Sequence, residues 1–191
     1  FFRSLFSAGK LTEQALPAAK WNAGVDLEAR IGRVVGFEQS SLDGVVLSLT
    51  RRDGKVTAMR ARGTLTGGAP LEVSIDAAPG QPRLLVAKTS DAGSAFRLVG
   101  FYANIAGGQG LLKVNLDGSG PAEKTGILTA TRFALLGDQI VREVLTNRAD
   151  TKERSIPSKI KTEGDRVRIN FNRMHVPFSV GHGQLVLQDS Y

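Results

Sequence analysis

The stretch Trp21-Asn22-Ala23-Gly24-Val25-Asp26-Leu27-Glu28-Ala29-Arg30-Ile31 decides how this chain is read. Every odd position from Trp21 to Ile31 is apolar, and every even position is polar or glycine. Successive side chains of an extended strand point to opposite faces, so a period of two gives one oily face and one wet face. A long, half-buried strand is expected here.

The same pattern recurs on the C-terminal side. Val45, Leu47 and Leu49 alternate, and Arg52-Asp53-Gly54-Lys55 has the composition of a tight hairpin turn. Thr57, Met59 and Ala61 continue beyond it. Thr66-Gly67-Gly68-Ala69-Pro70 turns into Leu71, Val73 and Ile75, and Ala78-Pro79-Gly80-Gln81-Pro82 turns into Leu84-Leu85-Val86. Connections this short make residues 21–88 an antiparallel meander.

The period then changes. Ser90 or Asp91 can accept bonds from the free N–H groups that open a helix. Ala92, Ala95, Phe96 and Val99 follow at spacings of three and four, and Asn104 to Gly110 reads as a loop. Leu112, Val114 and Leu116 form a strand, Asp117 to Pro121 a turn, and Gly126 to Thr131 another strand. Leu136, Ile140 and Val144 share a face at helical spacing, which predicts a second helix over Phe133 to Asn147. Alternation returns at Val167, Ile169 and Phe171, then at Val176, Phe178 and Val180, then at Leu185 and Leu187. Turns are expected at Gly164-Asp165, Asn172-Arg173 and Gly181-His182-Gly183. Before all of this, Phe2, Leu5, Phe6 and Leu11 make residues 1–20 an N-terminal amphipathic segment, closed by Pro17.

The expected fold is therefore mainly β, of the α+β kind. It is a curved antiparallel sheet or half-barrel meander with two short helices packed on or in its concave face. With 191 residues and no long linker, the chain is expected to form one domain over 1–191. The chain lacks an initiator Met and a secretory-length apolar core, so it is expected to be an excerpt of a longer protein.

Twenty-five Lys and Arg stand against 18 Asp and Glu, a formal charge of +7. That balance favours acidic partners in general. Arg51-Arg52 is the only adjacent basic pair, and no clustered Lys/Arg with interleaved aromatics suggests a nucleic-acid surface. No nucleic acid is expected as partner. There is no cysteine, which excludes disulfides, thiol nucleophiles and cysteine metal sites.

Three parts of the chain carry a resemblance. Thr89-Ser90-Asp91-Ala92-Gly93 opens a helix, and Ile105-Ala106-Gly107-Gly108 precedes a strand. A ribbon from Arg168-Ile169-Asn170-Phe171-Asn172-Arg173 to Gly183-Gln184-Leu185-Val186-Leu187 closes the chain. Over residues 20–190 this order resembles the C-terminal region of AsmA-like proteins, the bacterial envelope family that includes the YhdP and TamB relatives. The resemblance implies a periplasmic protein attached to the inner membrane through a segment outside this chain. It also implies a trough whose apolar inside carries phospholipid acyl chains, with a role in lipid transport or outer-membrane biogenesis. No catalytic residues or cofactors belong to the resemblance, and no enzyme is expected.

In such a trough Val25, Leu27, Ile31, Leu47 and Leu49 would line the lipid groove, and Arg166 and Arg168, which share a face, would meet headgroups. If helices plug the concavity, the same apolar residues are ordinary core. The alternative function is then a structural or protein-interaction cap with no ligand of its own. His175 and His182 are the only histidines, seven apart, with Asp189 the nearest further ligand. Such a set is too sparse for zinc. Gly107-Gly108-Gln109-Gly110 lacks the Gly-Lys-Ser/Thr ending of a phosphate loop and reads as a turn.

Overall fold

The computed structural model describes residues 24–77, 80–120, 123–137, 160–163, 166–181 and 184–188. Among these residues eleven strands form one antiparallel sheet, in the order β1-β2-β3-β4-β5-β7-β8-β10-β11. The sheet is open, with β1 at one end of the path and β11 at the other; β6 joins β8 and β9 joins β10 from the side.

The first five strands are the expected meander: β1 (Val25–Val35), β2 (Ser41–Arg52), β3 (Lys55–Leu65), β4 (Pro70–Asp76) and β5 (Leu84–Thr89). Asp53 and Gly54 turn between β2 and β3 with φ of 49° and 74°. Left-handed φ at both central residues is what a two-residue hairpin needs to match the strand twist.

The expected first helix is α1 (Ala92–Leu98). Asp91 caps it: one carboxylate oxygen accepts from the Ser94 N–H at 3.0 Å, the other from the Ser94 hydroxyl at 2.6 Å. Strands β6 (Ile105–Ala106), β7 (Gln109–Gly120) and β8 (Glu123–Leu136) follow, then β9 (Ile160–Glu163), β10 (Arg166–Gly181) and β11 (Gln184–Leu187). No helix among the described residues is long and apolar enough to cross a membrane.

Ile105–Ala106 is a short strand inside the expected loop, and β7 runs on to Gly120 through most of the expected Asp117 to Pro121 turn. Two further expectations also need correction. Among the described residues there is one short helix rather than two. Phe133 to Leu136, the expected start of the second, is instead the end of β8; Ile140, Val144 and the rest of that segment lie outside the described residues, as do residues 1–20. Nor do Asn172 and Arg173 turn the chain, because β10 runs straight through them.

The paired strands β8 and β10 change face together in this region. Ala130 and Phe133 are three residues apart yet share one buried cluster, and their β10 partners Met174 and Phe171, also three apart, pack on it. Each strand changes face once, between these positions. Arg132 absorbs the change in β8 with a left-handed φ of 54°. Because both strands shift together, their register is not lost. A spacing of three produced this way is indistinguishable in sequence from a helical one.

Phe96 anchors α1 in that cluster with Ala92, Ile105, Ala130 and Phe133, and the rings of Phe133 and Phe171 stack at 5.3 Å.

Candidate functional site

Register turns the alternation into a surface. Directly opposite residues on neighbouring strands point to the same face. Starting at Leu27, the row runs Leu49, Met59, Ile75, Leu85, Val114, Gly126, Phe178 and Leu187, one residue from each strand of the path. Every member is apolar or glycine. Gly126 belongs there because a Cβ at this position would collide with the ring of Phe178. The next row, Ala29, Leu47, Ala61, Val73, Ala87, Leu112, Leu128 and Val176, is apolar throughout. At about 4.8 Å per strand the first row is about 38 Å long.

Four of the five groove residues expected from sequence lie in these two rows or beside them on β1: Leu27 opposite Leu49, Leu47 opposite Ala29, and Ile31 opposite Val45. Val25, the fifth, sits at the start of the same face, opposite Arg51. Exposure follows position along the row. Leu27 and Leu187 at its ends are 45% and 59% exposed, whereas Ile75 and Val114 in its middle are 6% and 3% exposed.

The two headgroup candidates are not brought to this place. Arg168 is one residue out of phase with Ile169 and Phe171, so it lies on the opposite face, where its Nε donates to Asn170 Oδ1 at 3.4 Å. Arg166 opens the same strand, in register with Glu163. From β2 to β10 is six strand spacings, about 29 Å.

The opposite face is wet. Its row Arg30, Val46, Arg62, Glu72, Lys88, Leu111, Thr129 and His175 carries most of its charge near the centre. Arg60, Arg62, Glu72 and Lys88 line a shallow hollow of about 410 Å³ there. A second, of about 480 Å³, adjoins it at Glu72 and Lys88. His175 is half-buried, with its Nδ1 3.3 Å from the Thr129 hydroxyl. His182 and Asp189 lie outside the described residues, and no group of metal-binding side chains occurs among those described.

One end of the apolar face is closed by α1. The Asp-Ala-Gly start and the double glycine, separate in sequence, meet there. Ala92 N–H donates to the Gly108 carbonyl at 2.7 Å and Gly93 N–H to that of Gly107 at 3.1 Å. Gly93 has no room for a side chain, since a Cβ would meet the Ile105 carbonyl oxygen and come within 2.9 Å of Ala106 Cα. Arg97 donates to the Ile105 carbonyl at 2.9 Å and to the Ser94 hydroxyl at 3.0 Å. At its C-terminus α1 meets the β1–β2 turn, where Phe37 N–H donates to the Leu98 carbonyl at 3.3 Å.

The far end of the sheet is held by a clasp that sequence reading missed. Arg83 donates to both carboxylate oxygens of Asp117, at 2.7 Å from Nη2 and 2.9 Å from Nε, and its backbone N–H adds a bond at 2.8 Å. Its Nη1 reaches the Val56 carbonyl at 3.0 Å, tying β3, β5 and β7 together. The Arg83 side chain bonds and then its backbone N–H hold the Asp117 carboxyl far below the usual carboxylate range, against a small desolvation effect. Two more pairs fasten the β1–β2 ribbon. Arg52 and then Thr50 lower Asp26, and Arg33 lowers Asp43. A spacing of 34 residues between Arg83 and Asp117 leaves no sequence signal, because only register makes them neighbours.

No protein-family model, curated protein or solved structure matches this chain.

Proposed function

We propose that the apolar face is a lipid-holding surface, and that the domain acts without catalysis by shielding alkyl chains from water. The observation that carries this reading is the unbroken apolar row from Leu27 to Leu187, with its outer members left exposed. Burying alkyl chain is worth roughly 0.8 kcal/mol per CH₂, so a long oily row can hold a lipid without a shaped pocket.

Contacts of α1 support a trough rather than a flat layer. A seven-residue helix is about 10 Å long, yet α1 touches the β1–β2 turn at one end and β6, which pairs with β8, at the other. In a flat sheet β2 and β8 would stand about 24 Å apart. Curling of the sheet around α1, apolar face inward, reconciles the two lengths. The resemblance to AsmA-like proteins adds the rest of the reading: phospholipid as ligand, the periplasm as location, attachment to the inner membrane through parts outside this chain, and a part in outer-membrane biogenesis.

The burial of Ile75 and Val114 favours a second reading, in which the middle of the face is core and the domain is a structural or protein-interaction cap. One substitution separates the two. Leu27→Asp, at the exposed end of the row, leaves the chain folded in either case; it strips co-purified lipid if the face holds lipid and leaves the extract unchanged if the domain is a cap. The direct test is mass spectrometry of the organic extract of chain purified from native membranes, together with photo-crosslinkers at Val25 and Leu47. Co-purified phospholipid and crosslinked lipid are expected; a clean extract with both crosslinkers silent overturns the lipid reading.

A further inference from the structure

Strand β1 is an edge of eleven residues with no neighbour on its outer side among the described residues. At the other end of the sheet the edge is broken into the four-residue strands β9 and β11. A long exposed edge is a template for another strand. The charges on β1 say which strand.

Asp26 and Arg33 are already engaged inside the chain: Asp26 with Arg52 at 2.6 Å, and Arg33 with Asp43 at 2.5 Å. Glu28 and Arg30 have no ion pair or side-chain hydrogen bond among the described residues. They stand two residues apart, opposite in sign, on the same face, both exposed. Their neighbours across β2, Ser48 and Val46, are uncharged.

We propose that β1 pairs antiparallel with β1 of a second copy of this chain, about a two-fold axis at Ala29. In that register each Glu28 lies opposite the partner's Arg30, so both loose charges on both chains are matched. On the other face Leu27 lies opposite the partner's Ile31, and Ala29 opposite itself. The apolar rows then run unbroken from one chain into the other. A two-fold pairing of this kind is self-limiting, because each copy uses its β1 edge once and the pair closes on itself.

Charge reversal tests the register directly. Glu28→Arg alone and Arg30→Glu alone each set like charges opposite one another twice per dimer, whereas the double exchange restores both pairs. All three changes are at exposed positions facing uncharged neighbours, and far-ultraviolet circular dichroism checks that each variant stays folded. Sedimentation of the unmodified chain is expected to show a dimer, each single reversal to weaken association about tenfold or more, and the double exchange to recover it.

Cross-linking gives an independent readout, because the chain has no cysteine. Ala29→Cys places two thiols opposite each other on the axis, within reach of a disulfide. Val35→Cys leaves them twelve residues out of register, about 40 Å apart. Oxidation is expected to link the first and not the second. A chain that stays monomeric to roughly 100 µM, a dimer indifferent to single reversal, or equal linking at both positions would each overturn the proposal.

Discussion

Replacing Gly93 with alanine sets two effects of opposite sign against each other. Inside a helix, alanine is better than glycine by about 1 kcal/mol. Propensity alone thus expects stabilisation. Here the new Cβ would meet the Ile105 carbonyl oxygen, lie 2.9 Å from Ala106 Cα and 3.0 Å from the Gly107 nitrogen. All three are backbone atoms, so no side chain can swing away. Relief requires α1 to move off β6, and that move stretches the bonds from Ala92 to Gly108 and from Gly93 to Gly107. Losing two backbone hydrogen bonds costs about 2 kcal/mol, and overpacking a tight contact costs about 1–3 kcal/mol. After subtracting the propensity gain, a net destabilisation of about 2–4 kcal/mol is expected. Urea unfolding followed by circular dichroism reads it as a lower midpoint at unchanged slope. A midpoint equal to or above that of the parent chain would refute the claim that α1 and β6 are in direct backbone contact.

The Arg83–Asp117 clasp makes stability depend on acid. Because folding lowers the Asp117 value, its contribution is complete above the ordinary carboxylate value of 3.8 and fades as pH falls below it. Asp117→Asn is therefore expected to melt at lower temperature than the parent at pH 7, with the gap narrowing below pH 3.8; a gap that is constant with pH would show that the charge is not what matters. Arg132 adopts a left-handed φ of 54°, which costs an L-residue roughly 1–2 kcal/mol and glycine almost nothing. Arg132→Gly is expected to keep or raise the thermal midpoint, and Arg132→Val to lower it.

Much of this protein is legible from local chemistry. Period-two alternation identifies the strands, Asp53-Gly54 announces a two-residue hairpin, and Asp91 marks the helix start. Each of these depends only on neighbours in the chain, which is why it can be read there. Alternation even separates the oily face from the wet one within a strand, so the groove candidates Leu27, Ile31, Leu47 and Leu49 fall together.

What the residues could not settle alone depends on partners far along the chain. Pairing register aligned nine separate alternations into one row from Leu27 to Leu187, and a slip of one residue in any strand would have broken it. Register also put Arg168 on the face away from the groove candidates and made a clasp of Arg83 and Asp117. Pairing with β10 and β6 made strand of Phe133 to Leu136, where the spacing of Leu136 from residues further on had suggested a helix start. Spacing along a chain records which way a side chain points relative to its neighbours; only packing decides what it points at.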